Sequence, residues 1–262
     1  MSLPRPELED YLRPITEAVS WQEALTQFAR LGPITGDARV NRETVTLQQQ
    51  QFPLSALFPP VQLGGDNLPR FRPGTDEERL EYQLAMHEAM LVQLRATLVH
   101  EALVRIIVSH PMPSVEDLTA YFCTNRIIPP ATGVAIARAF LRYWAGDAEG
   151  AAFTIIPRIE ALARNLLLNA DFGIYRTQRA KSPAQYPGLR FLLDQLAARG
   201  LDESWHRYIV VMCTHVVGFN LRNEMAHGFV DWIDDGVAAL LLQIAAHLSG
   251  LTPVSQSDPP ES

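Results

Sequence analysis

Cysteine and positive charge are both scarce in this chain. Its 262 residues include two cysteines, Cys123 and Cys213, which lie far apart and lack the paired spacing of a zinc site. We expect both to be free thiols in a reducing compartment. Lys and Arg number 22 against 29 Asp and Glu, which gives a formal net charge of -7 at pH 7. Because general nucleic-acid binders usually carry a basic surface, any contact with nucleic acid must be local.

Long apolar runs and targeting signals are also missing. The longest apolar stretch, residues 237–248, contains Gln243 and His247 and is too short to span a bilayer, so it predicts a buried helix. The N-terminus lacks the basic start and apolar run of a secretory signal. These observations predict a cytoplasmic protein with no membrane partner.

Several common catalytic signatures do not occur. The only adjacent glycines, Gly64 and Gly65, are not followed by the Lys and Ser or Thr of a phosphate-binding loop, and no Gly-x-Ser-x-Gly elbow is present. His87 and His100 each precede a Glu, but neither has the second His of a metalloprotease helix. The sequence therefore argues against kinase, serine-hydrolase and zinc-protease chemistry.

Helical patterns dominate from Thr75 onward. Thr75 and the three acidic residues after it predict the start of a helix that runs to about residue 108. Its apolar stripe is predicted to comprise Leu80, Leu84, Leu91, Leu94 and Leu98, with His87 as a hydrogen-bonded core residue on the same stripe. Further helices are predicted over residues 114–122, 131–145, 148–170, 187–199, 203–217, 220–228 and 235–249. The fold class is predicted to be all-α.

The first 75 residues have a different composition. Apolar residues at helical spacing predict a helix pair within residues 5–31. Seven prolines and glycines between Pro53 and Pro73 predict that regular structure is short or absent from Gly32 to Gly74, as in a linker or a wrapping arm. We therefore expect N-terminal helices and a Pro/Gly-rich arm over 1–75, one helical domain over 76–251 and a disordered tail over 252–262.

Residues 220–228, Asn-Leu-Arg-Asn-Glu-Met-Ala-His-Gly, combine groups that can break a phosphodiester bond without a metal. Arg222 can hold a phosphate with two hydrogen bonds, and His227 can take a proton from a ribose hydroxyl or return one to a leaving oxygen. Asn223 lies four positions before His227 and shares its helix face, whereas Arg222 lies about 140° away and must reach round. The segment predicts an RNA-cleaving site formed by Arg222, Asn223 and His227.

These residues resemble the signature of the HEPN superfamily. In that signature an Arg, usually followed by a polar residue, precedes a His with four to six residues between them, and here four residues intervene. A second stretch, residues 155–164, reads Ile-Ile-Pro-Arg-Ile-Glu-Ala-Leu-Ala-Arg and is similar to an upstream helix of bacterial HEPN-like domains of unknown function. The resemblance covers residues 76–251 in organisation and implies a HEPN-like helical bundle with an N-terminal extension.

The resemblance also implies a function. HEPN ribonucleases use neither a metal nor a cofactor, and they cut RNA through attack of the 2′-hydroxyl to leave a 2′,3′-cyclic phosphate. Two motifs face each other across an interface in those enzymes, so this chain, which carries one motif, is expected to form a homodimer. A role in bacterial stress or phage defence is implied, with single-stranded RNA or tRNA as substrate and an antitoxin protein as a further partner.

Basic residues gather in one acid-free stretch, residues 172–193. We predict RNA contacts there from Arg176, Arg179 and Lys181, with Arg190 nearby, although an ordinary solvated loop is equally consistent with the pattern. Within the 148–170 helix, Pro157 predicts a kink. Glu160 and Arg164 form either a surface pair or part of the active site, with Glu160 orienting a cation.

The helix before the motif leaves a further choice open. Ile209, Cys213 and Val216 make an apolar stripe that continues at helical spacing into Asn220, Asn223 and His227. Buried polar groups need partners, so this line predicts a functional pocket, a satisfied core network, or a break at Gly218 that turns the later residues to solvent.

Two other functions remain as alternatives. The first is a non-catalytic HEPN-like module that binds RNA, a nucleotide or a protein through the same surface, which a closed pocket and a blocked motif would favour. The second is a helical structural protein in which Arg222 and His227 are merely exposed.

Overall fold

Helices account for most of the chain that the structure describes. The structure is a computed structural model and describes residues 5–51, 61–63, 69–170, 172 and 187–252. The helices in these ranges are α1 (Arg5–Thr16), α2 (Trp21–Arg30), α3 (Ala38–Gln51), α4 (Asp76–Ser109), α5 (Val115–Cys123), α6 (Pro130–Trp144), α7 (Ala148–Asn169), α8 (Leu189–Ala197), α9 (Glu203–Cys213), α10 (Leu221–Ala226) and α11 (Asp235–Gly250). The predicted all-α class is confirmed.

Local capping explains several of the helix bounds. At the start of α4, the Glu78 amide donates to the Thr75 hydroxyl and the Glu78 carboxylate accepts from the Thr75 amide, as in a capping box. Ser114 and Asp117 form the same reciprocal pair at the start of α5. Both starts were predicted from the sequence, and both predictions are confirmed.

The chain divides into two compact units. Unit 1 comprises residues 1–31, 97–200 and 233–262, and unit 2 comprises residues 32–96 and 201–232. The predicted boundary at residue 75 therefore falls inside unit 2. Unit 1 is organised around α11, which packs on α2, α6 and α7 and is buried without interruption from Ala238 to Ala246. The prediction of a buried helix over 237–248 is confirmed.

Unit 2 contains α3, α9, α10 and the first part of α4, together with a small β-ribbon. Strands β1 (Gln62–Leu63) and β2 (Pro69–Phe71) pair antiparallel, with Gln62 opposite Phe71 and an irregularity after Gln62. The prediction that regular structure would be short or absent over 32–74 is wrong for residues 38–51, which form the 14-residue helix α3. No Pro or Gly lies between Gly36 and Pro53, and the carboxylate of Asp37 accepts from the amide of Val40 at the helix start.

The buried face of α4 differs from the predicted leucine stripe. Leu84 is buried, but Leu94 is 54% exposed, and buried side chains include Ala85, Glu88 and Val92. A charged residue thus takes a core position, because it has a buried partner on α9 that the sequence pattern does not reveal. His87 was predicted to be a core residue, but it is only half-buried, so that prediction is wrong.

Candidate functional site

Arg222 and Asn223 lie on the six-residue helix α10, and His227 directly follows it. Two backbone hydrogen bonds fix the C-terminal end of this helix. The amide of Gly228 donates to the carbonyl of Met225 at 3.3 Å, and the amide of Phe229 donates to the carbonyl of Glu224 at 2.9 Å. Gly228 has a φ of +71°, so this is a Schellman ending that suits glycine. His227 is the last residue before that turn, and its side chain is exposed to solvent.

A chain of hydrogen bonds joins the polar residues of α10. The Asn223 carbonyl oxygen accepts from the Arg222 guanidinium at 3.2 Å, and the Asn223 amide donates to the Asn220 side chain at 2.7 Å. The Asn220 amide in turn donates to the Glu224 carboxylate at 3.0 Å. Both ends of the Asn223 amide are therefore engaged within the motif, and Asn223 positions Arg222.

His227 follows Asn223 by one helical turn, as the spacing predicts. The His227 backbone amide donates to the Asn223 backbone carbonyl at 3.0 Å. Arg222 and Asn223 are half-buried, whereas His227 is exposed. The segment therefore presents the His227 imidazole to solvent and holds the Arg222 side chain through Asn223.

The predicted polar continuation of the α9 stripe is wrong. Helix α9 ends at Cys213, four residues before its predicted end, and residues 214–220 are not helical. A Cβ on Gly218 would overlap the carbonyl oxygen of Val211, which also accepts the Phe219 amide at 2.9 Å. The chain turns here by close backbone approach, so the motif does not extend the buried face of α9. The alternative of a break at Gly218 is the one observed.

An aromatic side chain lies beside His227. The Phe229 ring lies with its centroid 6.2 Å from that of His227. The Arg70 guanidinium from β2 stands over the same Phe229 ring at 5.2 Å, a cation–π geometry. Phe229 is 47% exposed and Trp232 is 71% exposed. Exposed aromatic rings beside arginine are the features on which unpaired bases of single-stranded RNA stack.

A buried ionic cluster anchors the loop that leads into the motif. The Arg207 guanidinium contacts the Glu81 carboxylate at 2.6 Å and the Glu88 carboxylate at 2.5 Å, and Glu88 is fully buried. Burial opposes the charged form of Arg207, but hydrogen bonds and negative charge from Glu88 and Glu81 raise its pKa above the ordinary value. In unit 2, one buried guanidinium is therefore shared by two carboxylates.

His215 connects this cluster to the loop. Its Nδ1 accepts the Val217 amide at 3.2 Å, so that nitrogen carries no proton, and its Nε2 lies 3.1 Å from the Glu81 carboxylate. Burial alone would raise the pKa of Glu81, but the hydrogen bond from His215, together with the positive charge and hydrogen bond of Arg207, lowers it to about 2. Both His215 nitrogens are occupied, so His215 has a positioning role and cannot act as a base.

The other predicted site residues either belong to unit 1, whereas the motif belongs to unit 2, or lie outside the described residues. Arg176, Arg179 and Lys181 lie outside the described residues. Arg190 pairs with Asp194 at 3.0 Å on the solvent-facing side of α8. Glu160 pairs with Arg164 at 2.9 Å, one turn away on α7, which is the ordinary pairing for that spacing.

Sequence reasoning overlooked two sets of residues around the motif. Glu224 lies inside the motif segment, and its spacing of four from Asn220 is a signal that could have indicated their contact. Arg70 and Phe229 could not have been paired, because Arg70 comes from a three-residue strand more than 150 positions earlier. In the described part of the chain, no helix is long and apolar enough to cross a membrane.

A comparison with protein families, curated proteins and solved structures finds no significant match to this chain. The resemblance to the HEPN superfamily therefore stays a prediction from the sequence.

Proposed function

We propose that this chain is a metal-independent endoribonuclease of HEPN type. The observation that carries the proposal is the exposed imidazole of His227, held at the end of α10 one turn after Asn223, which in turn holds Arg222. An exposed imidazole can exchange protons with a substrate, and a guanidinium can stabilise negative charge on phosphorus.

The proposed reaction is an attack of a ribose 2′-hydroxyl on the adjacent phosphorus. The O2′–P bond forms as the P–O5′ bond breaks, a base removes the 2′ proton, and an acid protonates the leaving 5′ oxygen. Arg222 stabilises the charge on the phosphoryl oxygens, and Asn223 positions Arg222. The products are a 2′,3′-cyclic phosphate and a 5′-hydroxyl.

One imidazole cannot remove one proton and deliver another in a single concerted step. A homodimer supplies the second imidazole, since a second copy brings a second His227 to the scissile bond. We therefore propose that the active form is a dimer whose motifs face each other. We further propose that the enzyme acts in bacterial stress or defence, with an antitoxin protein as a further partner.

The test is incubation of the purified protein with RNA in EDTA, followed by analysis of the fragment ends. Wild type is expected to leave cyclic phosphates on RNA and to leave the same sequence uncut when every 2′-hydroxyl is methylated. His227→Ala and Arg222→Ala should each reduce the rate by about 100-fold or more, the range associated with losing a catalytic proton-transfer or charge-stabilising group.

Matched variants control for general effects on folding. His206→Ala removes a half-buried histidine of unit 2 that lies outside the motif, and Arg39→Ala removes an exposed arginine of the same unit, so both should cut at the wild-type rate. Full activity in His227→Ala would refute the catalytic assignment. Binding of RNA by wild type without cleavage would instead identify a non-catalytic RNA-binding module, for which Phe229 and Arg70 provide the contact surface.

A further inference from the structure

A cavity in unit 2 is lined in part by the residues that lead into the motif. Its volume is about 880 Å³, and its walls come from α3, from the first half of α4 and from residues 217–219. Phe219 of that wall directly precedes Asn220, which is hydrogen-bonded to Asn223. Because consecutive Cα atoms are about 3.8 Å apart, the cavity wall and the hydrogen-bonded polar residues meet along the backbone at Phe219 and Asn220.

The lining of the cavity is rich in amides. Among the described residues that line it there is no Asp, Glu, Lys or Arg, four are glutamines, and one is a histidine, His87. Met86 and Met90, each nearly half exposed, supply apolar surface. Such a lining offers no lysine or arginine to a phosphate, whereas glutamine amides can both donate to and accept from the edge of an uncharged heterocycle.

Two of the walls are held in place by specific contacts. The Tyr82 ring stacks on Phe71 of β2, with centroids 6.3 Å apart and planes within 9°. The wall at Gly218 is fixed by its close approach to the Val211 carbonyl and by the hydrogen bond from the Val217 amide to the His215 imidazole. The cavity is therefore largely formed before a ligand arrives, as is usual for small-molecule sites of about 300–1,000 Å³.

We infer that this cavity holds an unstacked nucleobase of the RNA strand whose backbone lies at Arg222 and His227. The inference rests on the proposed function, because the strand at the motif supplies the base. Tyr82 and the methionines contact the face of the base, and Gln49 and Gln83 hydrogen-bond to its edge. Base recognition in this cavity then selects the position of the cut, while phosphate contacts remain at the motif.

The experiment measures binding of neutral ligands to the full chain, separately from cleavage. Adenosine, guanosine, cytidine and uridine are titrated by ligand-observed NMR, with ribose 5-phosphate as the probe that carries a phosphate but no base. At least one nucleoside should bind and should not be displaced by ribose 5-phosphate. His227→Ala should bind it as wild type does.

Isosteric variants locate the site. Gln49→Glu and Gln83→Glu should each weaken nucleoside binding by about tenfold, since each replaces the amide donors with a carboxylate that can only accept hydrogen bonds. Gln50→Glu, the adjacent position on α3 that does not line the cavity, should leave binding unchanged. The inference is overturned if no nucleoside binds or if both cavity variants bind like wild type.

The same data separate this inference from the ribonuclease proposal. RNA cleavage without nucleoside binding would refute the base site alone. Nucleoside binding that is sensitive to Gln49 and Gln83, without any RNA cleavage, would refute the ribonuclease and leave a nucleobase-binding cavity.

Discussion

Removing the carboxylate of Glu88 should destabilise the protein strongly. Glu88 is fully buried on α4, and both of its oxygens lie 3.1 Å from the Arg207 Nε, with one of them 2.5 Å from a terminal nitrogen. Glu88→Ala removes the fully buried partner of the Arg207 guanidinium and leaves the Glu81 carboxylate, which lies 2.6 Å away. Breaking a buried ion pair from one side costs about 3–5 kcal/mol when the other charge is left uncompensated, and we expect the lower end, about 3 kcal/mol, because Glu81 still pairs with Arg207.

That free energy corresponds to a measurable thermal shift. At about 3 °C per kcal/mol for a chain of this size, Tm should fall by about 10 °C, as followed by circular dichroism. Asp10→Asn, which breaks an exposed pair with Arg13, serves as the control and should change stability by at most about 0.5 kcal/mol.

A second variant separates charge from packing. Glu88→Leu combined with Arg207→Met removes both charges and keeps apolar volume, so it should recover most of the lost stability, as such replacements of buried pairs often do. A Glu88→Ala protein that melts within about 2 °C of wild type would refute the reasoning, because it would mean that Arg207 gains little from Glu88.

Three further predictions concern acid stability, a turn and the thiols. Glu81 has a pKa lowered to about 2, below its ordinary value of 4.5, so the stability it contributes is present above about pH 4.5 and is lost as the pH falls toward 2. The free energy of unfolding, measured in urea, should therefore decrease as the pH falls across that range, and Glu81→Gln should reduce this dependence. Gly228→Ala should cost about 1–2 kcal/mol, because a Cβ is strained at a φ of +71°, and wild-type stability in urea unfolding would contradict this. Burial raises the pKa of Cys213 to about 12. A thiol reagent at pH 8 should therefore label half-exposed Cys123 and should not react with Cys213 until the chain unfolds. Labelling of two thiols in each native chain would contradict this.

The sequence predicted helix positions well where local chemistry determines them. Thr75 and Ser114 open their helices through reciprocal caps, and such caps involve only residues three positions apart. Helix α3 was not predicted because prolines and glycines occur on both sides of it, although residues 38–51 themselves contain neither. Residues without a strong apolar face can still form a helix when neighbouring elements pack on them.

The candidate site was only partly predictable for the same reason. Helix geometry predicts that His227 lies one helical turn after Asn223, and the structure shows this arrangement. Glu88 and Arg207 form an ion pair although they lie 119 positions apart in the sequence. Sequence patterns alone predict that each charged side chain is exposed. The break after Cys213 depends on close backbone contact at Gly218, which spacing along the chain does not encode.

The brevity of α10 has a dynamic consequence. A helix of six residues is far below the roughly 12–15 residues at which an isolated helix becomes even marginally stable in water, so its order depends on its caps and its neighbours. Segments of this kind open locally at a lower free energy than global unfolding requires. Backbone amides of α10 should therefore exchange with solvent deuterium faster than those of α11, and an RNA strand that engages Arg222 and His227 should slow that exchange. Order at the candidate site would then be completed by the substrate itself.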